Sequence, residues 1–82
     1  MKLSKTQQRQ HDEYLKSLGE LIVSIRKKKG LSQMDLAYAI GMEKPNLRQI
    51  EKGKRNITIK TILLIAEGLG VSIIDLLKIN ET

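Results

Sequence analysis

An all-α fold is predicted by three features of the sequence. Hydroxyl residues placed to cap helix starts precede apolar stretches, at Ser32, Thr58 and Ser72. Apolar residues return at intervals of three and four, the period that lines one face of a helix, as in Leu15, Leu18, Ile22 and Ile25. Glycines fall where helices should end, Gly41 foremost, because a residue without Cβ takes the positive φ of a helix terminus without strain. At 82 residues the chain is one domain with one small core. A domain of that size buries roughly 60–65% of its unfolded surface.

The first helix carries the stripe Leu15, Leu18, Ile22 and Ile25. Two starts fit it: Ser4, where Ser-Lys-Thr-Gln supplies a cap, and Ser17, where Ser-Leu-Gly-Glu supplies another. Residues 1–16, rich in Gln, Lys and Arg, are therefore read as a polar N-terminal extension, either an arm or added helical turns. Residues 17–79 form the folded domain and 80–82 a C-terminal tail. Arg26-Lys27-Lys28-Lys29 close the helix, where cations complement the negative end of its dipole.

In the second helix Ser32 and Asp35 form a capping box, each side chain taking up a backbone N–H left free at the start. Leu31 and Leu36 flank it as a hydrophobic staple, Leu36, Ala37 and Ile40 make an apolar face, and Gly41 ends it. The chain turns at Gly41-Met42. Pro45 lacks an N–H and is tolerated only in a first turn, so the third helix starts near Glu43 or Lys44. At about 100° per residue, Leu47, Ile50 and Glu51 share one side of it. Pro45, Arg48 and Gln49 face the other way, with Asn46 at the flank.

Thr58 caps the fourth helix, with Ile57 and Ile62 as staple partners and Ile59, Ile62, Ile65, Ala66 and Leu69 on its core side; Leu64 points away. Ser72 and Asp75 repeat the capping box between Val71 and Leu76. The core side of this fifth helix takes Ile73, Leu76 and Leu77, leaving Ile74 and Ile79 in excess. So small a monomer has no second core to receive them, which makes Leu64, Ile74 and Ile79 a candidate two-fold dimer patch.

Composition excludes several classes of function. Cysteine is absent, so there is neither a disulfide nor a thiolate metal site, which fits a reducing cytosol. Two tyrosines and no Phe or Trp leave few stacking platforms for single-stranded nucleic acid. His11 is the sole histidine, on a polar stretch with no nucleophile or carboxylate arrangement around it. No phosphate-cradling glycine loop and no metal-ligand cluster accompany it. Neither catalysis nor a cofactor or metal is expected. No apolar run approaches a membrane span and no signal-peptide core is present, so the protein is expected in the cytoplasm, associated with the nucleoid. The net charge of +6 favours a polyanionic partner, and its placement matters more: Lys44, Arg48, Lys52, Lys54 and Arg55 surround the third helix.

In its order and spacing the chain from about Leu18 to Leu77 resembles the Cro/phage-repressor (XRE-type) family of helix-turn-helix proteins. The resemblance rests on Ser32-Gln33, Leu36-Ala37, Gly41, Ile50-Glu51-Lys52-Gly53 and Leu69-Gly70-Val71-Ser72. It implies a compact five-helix bundle of the lambda-repressor-like type, with the helix-turn-helix formed by helices 2 and 3. Helix 1 would end at Lys29, and helices 2 to 5 would run Gln33–Ile40, Glu43–Lys52, Thr58–Leu69 and Ser72–Ile79. It also implies that Gln33 anchors a phosphate and braces the reading helix, and that Arg26 pairs with Glu51 as a structural clamp. Pairing of two copies through the C-terminal end is a family habit.

A regulator of this family would bind a double-stranded operator as a homodimer, with half-sites about one helical turn, roughly 34 Å, or a multiple apart. Base edges would be met by Lys44, Asn46, Arg48 and Gln49: Lys and Arg donate to guanine O6 and N7, while Asn and Gln pair with adenine N6 and N7. Pro45, where the family commonly has a small polar residue, can only pack, for instance against a thymine methyl. Lys54, Asn56 and Lys60 are phosphate candidates, and Arg55 is placed to reach a narrowed minor groove. Two other readings stand beside this one. Met34 and Tyr38, one turn apart, would suit a module that binds RNA polymerase or a toxin, as in an antitoxin. The stretch Arg55-Asn-Ile-Thr-Ile-Lys-Thr is similar to that of controller proteins of restriction-modification systems.

Overall fold

The computed structural model describes residues 1–78 of the chain. Five helices follow one another: α1 (Lys5–Lys28), α2 (Gln33–Ala39), α3 (Lys44–Glu51), α4 (Ile59–Leu69) and α5 (Ile73–Leu77). Ile79 of the expected dimer patch and the 80–82 tail lie outside the described residues.

Four of the five starts are capped by a side chain. Ser4, Ser32 and Ser72 make full capping boxes with Gln7, Asp35 and Asp75, and Thr58 accepts from the Thr61 N–H. The Ser4 cap starts α1, and Ser17 lies inside the helix. α2 stops at Ala39, with Ile40 as its cap, and α3 stops at Glu51, with Lys52 as its cap. Both ends fall one residue short of expectation, within the fraying that helix termini show.

Leu18, Ile22, Leu36, Leu47, Ile50, Ile62, Ile65, Leu69 and Leu76, with Ala37 and Ala66, form one aliphatic core. Two residues expected there are outside it. Ile59 is 59% exposed because it is the first residue of α4, beyond the level at which neighbouring helices cover that face. Leu77 is 40% exposed because α5 is little more than one turn long, and only Leu76, with Ile73 at its edge, points inward. Together with Leu3 and Tyr14 they line an apolar groove of about 580 Å³ between the start of α1 and the α4–α5 edge. There the Tyr14 hydroxyl donates to the Leu77 carbonyl at 3.2 Å.

The principal helix contacts are α1 with α3, α3 with α2, α2 with α4, α4 with α5, and α5 with α1. α3, between α1 and α2, is thereby held on one side and open on the other. No described helix is long and apolar enough to cross a membrane.

Candidate nucleic-acid interface

α3 starts without a side-chain cap: Glu43 makes no capping hydrogen bond, and Pro45 stands in the first turn. Eight residues with no capping hydrogen bond would be unstable alone, so tertiary contacts must hold this helix. Leu47 and Ile50 sink into the core, and beside them the Glu51 side chain is buried against Arg26 of α1. Arg26 Nε donates to Glu51 Oε2 at 2.9 Å and Nη2 to Oε1 at 3.2 Å. The remaining edge of the guanidinium, Nη1, donates to the Leu31 carbonyl at 2.8 Å. Gln33 of α2 adds a fourth bond, its Nε2 donating to Glu51 Oε1 at 2.7 Å. One carboxylate is thus gripped from α1 and α2 together. No buried side-chain nitrogen or oxygen among the described residues lacks a partner.

Such a pair gains little net stability, because removing two charges from water offsets most of their attraction. Its geometry is what it supplies. A bidentate carboxylate fixes the rotation of α3 about its own axis, which apolar contacts alone would leave looser. Gln33, with one amide hydrogen committed to Glu51, keeps the other for an outside acceptor.

Close backbone approach sets the depth of α3. Gly19 sits near the middle of α1, and a Cβ there would meet the Glu51 carbonyl and lie 2.7 Å from the Ile50 carbonyl oxygen. Gly53, at φ +71°, seats the following loop on α1, where a Cβ would lie 2.6 Å from Lys16 Cα. Gly19 is therefore not a helix terminator, and Gly68 likewise lies within the last turn of α4. A glycine inside a good helical stripe was the available sign of such an approach.

On the open side, Pro45, Arg48 and Gln49 are exposed, and Lys44 and Asn46 are half-buried at the flanks. Lys54, Arg55, Asn56 and Lys60 lie exposed in the loop after α3 and at the start of α4. Apart from Gln33 on α2, the candidate base and phosphate residues thus come from two consecutive stretches of chain. Asn46 and Arg55 are joined directly, Arg55 Nη1 donating to Asn46 Oδ1.

Met34 and Tyr38 are also exposed on α2, Tyr38 at 88%. Asp35, beside them, has its carboxyl held below the ordinary aspartate value of 3.8 by the Ser32 backbone N–H and then by the Ser32 hydroxyl. Both described dimer candidates are exposed. Leu64 is exposed beside a shallow groove with Ala39 and Ile40 on the α2 side of α4, whereas Ile74 is exposed on α5, one turn from Leu77 in the apolar groove. Among the described residues no group of three or more His, Asp or Glu stands together to hold a metal.

Comparison with known proteins agrees with the five-helix fold. Residues 22–76 match the family model described as helix-turn-helix. The uncharacterized HTH-type transcriptional regulator y4dJ of Sinorhizobium fredii is 34% identical over 61 residues, 74% of this chain and 79% of that protein. The crystal structure of the restriction-modification controller protein C.AhdI from Aeromonas hydrophila superposes with a TM-score of 0.74. It has 32% identity and covers 76% of this chain and 94% of that one. The controller protein C.Esp1396I, solved as a tetramer in complex with its natural 35 base-pair operator, superposes at 0.73. It has 37% identity and covers 79% of this chain and 86% of that one.

Proposed function

The chain belongs to the Cro/repressor-like helix-turn-helix family, and from that premise we propose that it is a transcriptional regulator that binds double-stranded DNA sequence-specifically. It acts as a homodimer on a near-palindromic operator, with α3 in the major groove. The observation that carries this reading is the polar, basic row Lys44, Asn46, Arg48 and Gln49, presented by a helix whose opposite side is clamped through Glu51. A groove-reading element needs both parts, donors at the edge and rigidity behind them. Pro45 adds an apolar contact in that row. Gln33, Lys54, Asn56 and Lys60 meet phosphates, which set register and make affinity fall with salt.

The exposed aliphatic residues Leu64 and Ile74 serve the pairing of two copies. The site of action is the cytoplasm, on the nucleoid. The likeness to two controller proteins at 32% and 37% identity supports a narrower reading, a controller protein of a restriction-modification system. Contact of Met34 and Tyr38 with RNA polymerase or a toxin is the competing reading.

Selection of bound sequences from random duplex DNA tests the proposal. The wild-type chain should enrich a symmetric motif with half-sites about one helical turn apart. Gln49→Ala and Lys44→Ala should each relax it at defined positions, with a loss of roughly 1–3 kcal/mol of discrimination. A chain that enriches no motif is a protein-binding module and not a regulator of this kind.

A further inference from the structure

The bond between Asn46 and Arg55 has a consequence for which base is read. A guanidinium has donors only, so the Asn46 atom facing Arg55 must be the carbonyl oxygen, and the amide nitrogen is the atom that faces away. An unengaged asparagine reads adenine with both atoms, the oxygen accepting from N6 and the nitrogen donating to N7. Here the oxygen already accepts from a cation, and an adenine amino group approaching it would meet the hydrogens of the guanidinium. What the pair presents outward is donors alone: the Asn46 amide hydrogens and the four guanidinium hydrogens not given to Asn46.

We propose that Asn46 and Arg55 act as one composite reader that selects guanine, whose N7 and O6 are both acceptors, and rejects adenine and cytosine, whose amino groups face it. Arg55 then belongs to the major-groove surface beside α3 instead of the minor groove. Within the hydrogen-bonded pair, Arg55 sets the specificity of Asn46 by taking one lone pair of its only acceptor atom and setting guanidinium hydrogens against any second donor that approaches it.

The proposal rests on the operator-binding reading above, and the same selection on random duplex DNA separates the two. Asn46→Ala identifies the base pair that depends on this residue. At that pair the wild-type chain should show guanine, favoured over adenine by roughly five- to 150-fold, the range of one bidentate contact. Arg55→Ala, at an exposed position where folding is little affected, should convert the preference there to adenine because it frees the Asn46 oxygen. Arg55→Lys, which keeps a donor-only cation, should retain guanine. Adenine at that position in the wild type overturns the composite reader while leaving the regulator reading intact. So does an Arg55→Ala motif with the base unchanged, or an Asn46→Ala variant that alters no position. Absence of any enriched motif overturns both.

Discussion

On its inward side α3 buries Leu47, Ile50 and the Glu51 carboxylate, and four hydrogen bonds from Arg26 and Gln33 tie that carboxylate and the α1–α2 turn together. On its outward side, among the described residues, Lys44, Arg48 and Gln49 make no side-chain hydrogen bond to the rest of the protein. Only Asn46, at the boundary, is held, and by a loop residue that is itself exposed. One face is over-determined and the other almost undetermined. The residues that hold α3 and those proposed to read DNA are therefore different side chains of an eight-residue helix.

The largest effect expected from this division comes from Glu51→Ala. It leaves the Arg26 guanidinium buried without its counter-ion and should cost about 3–5 kcal/mol. At roughly 4–8 °C per kcal/mol for a domain of this size, the thermal midpoint should fall by well over 10 °C, with DNA affinity falling too. Replacing both partners together, Arg26→Met with Glu51→Leu, should restore much of that midpoint but not the affinity, because apolar contacts do not fix the rotation of α3. Melting by circular dichroism and titration on the selected operator distinguish the two losses; an unchanged midpoint in Glu51→Ala would show that the clamp is idle.

Gly19→Ala should have a smaller effect of the same kind. The new methyl meets the backbone of Ile50 and Glu51, which must shift, at a cost of about 1–3 kcal/mol. The gain in helix propensity returns up to about 1 kcal/mol. A lower midpoint with α3 displaced is the expected result, and a raised one would mean that the approach of α1 to α3 is not tight. Gln49→Ala, on the opposite face, should move the midpoint by no more than about 0.5 kcal/mol equivalent while altering the selected motif. A large loss of stability there would abolish the contrast between the two faces.

How much of this was legible in the sequence depended on the range of the interaction concerned. Caps at Ser32, Thr58 and Ser72 were readable because a capping box is complete within four residues. The sidedness of α3 followed from the helical period, since Leu47, Ile50 and Glu51 recur on one face wherever the partner lies. Ile59 and Leu77 were misjudged for the same reason in reverse. Periodicity assigns a face but not the height at which neighbouring helices stop covering it. The Arg26–Glu51 pair entered only through family resemblance, because residues 25 apart in sequence carry no local mark of contact. Gln33 bonded to Glu51, Gly19 against the end of α3 and Arg55 on Asn46 are all long-range in this sense. The brace by Gln33 entered through the resemblance, and the other two become visible only when the chain is assembled.

The helix contacts form a closed circuit, α1 to α3 to α2 to α4 to α5 and back to α1, in which the Tyr14 hydroxyl joins residues 63 apart. Loosening α5 slackens α1, and through Gly19 and Arg26 it slackens the seat of α3. Opening of a core-facing segment is thereby coupled to its neighbours, so the amides of core residues such as Ile22, Leu47 and Ile65 should exchange last, while the exposed start of α1 exchanges early. α3 is one link of that ring, so a protease or a binding partner acting on the far helices acts on the proposed DNA-reading edge as well.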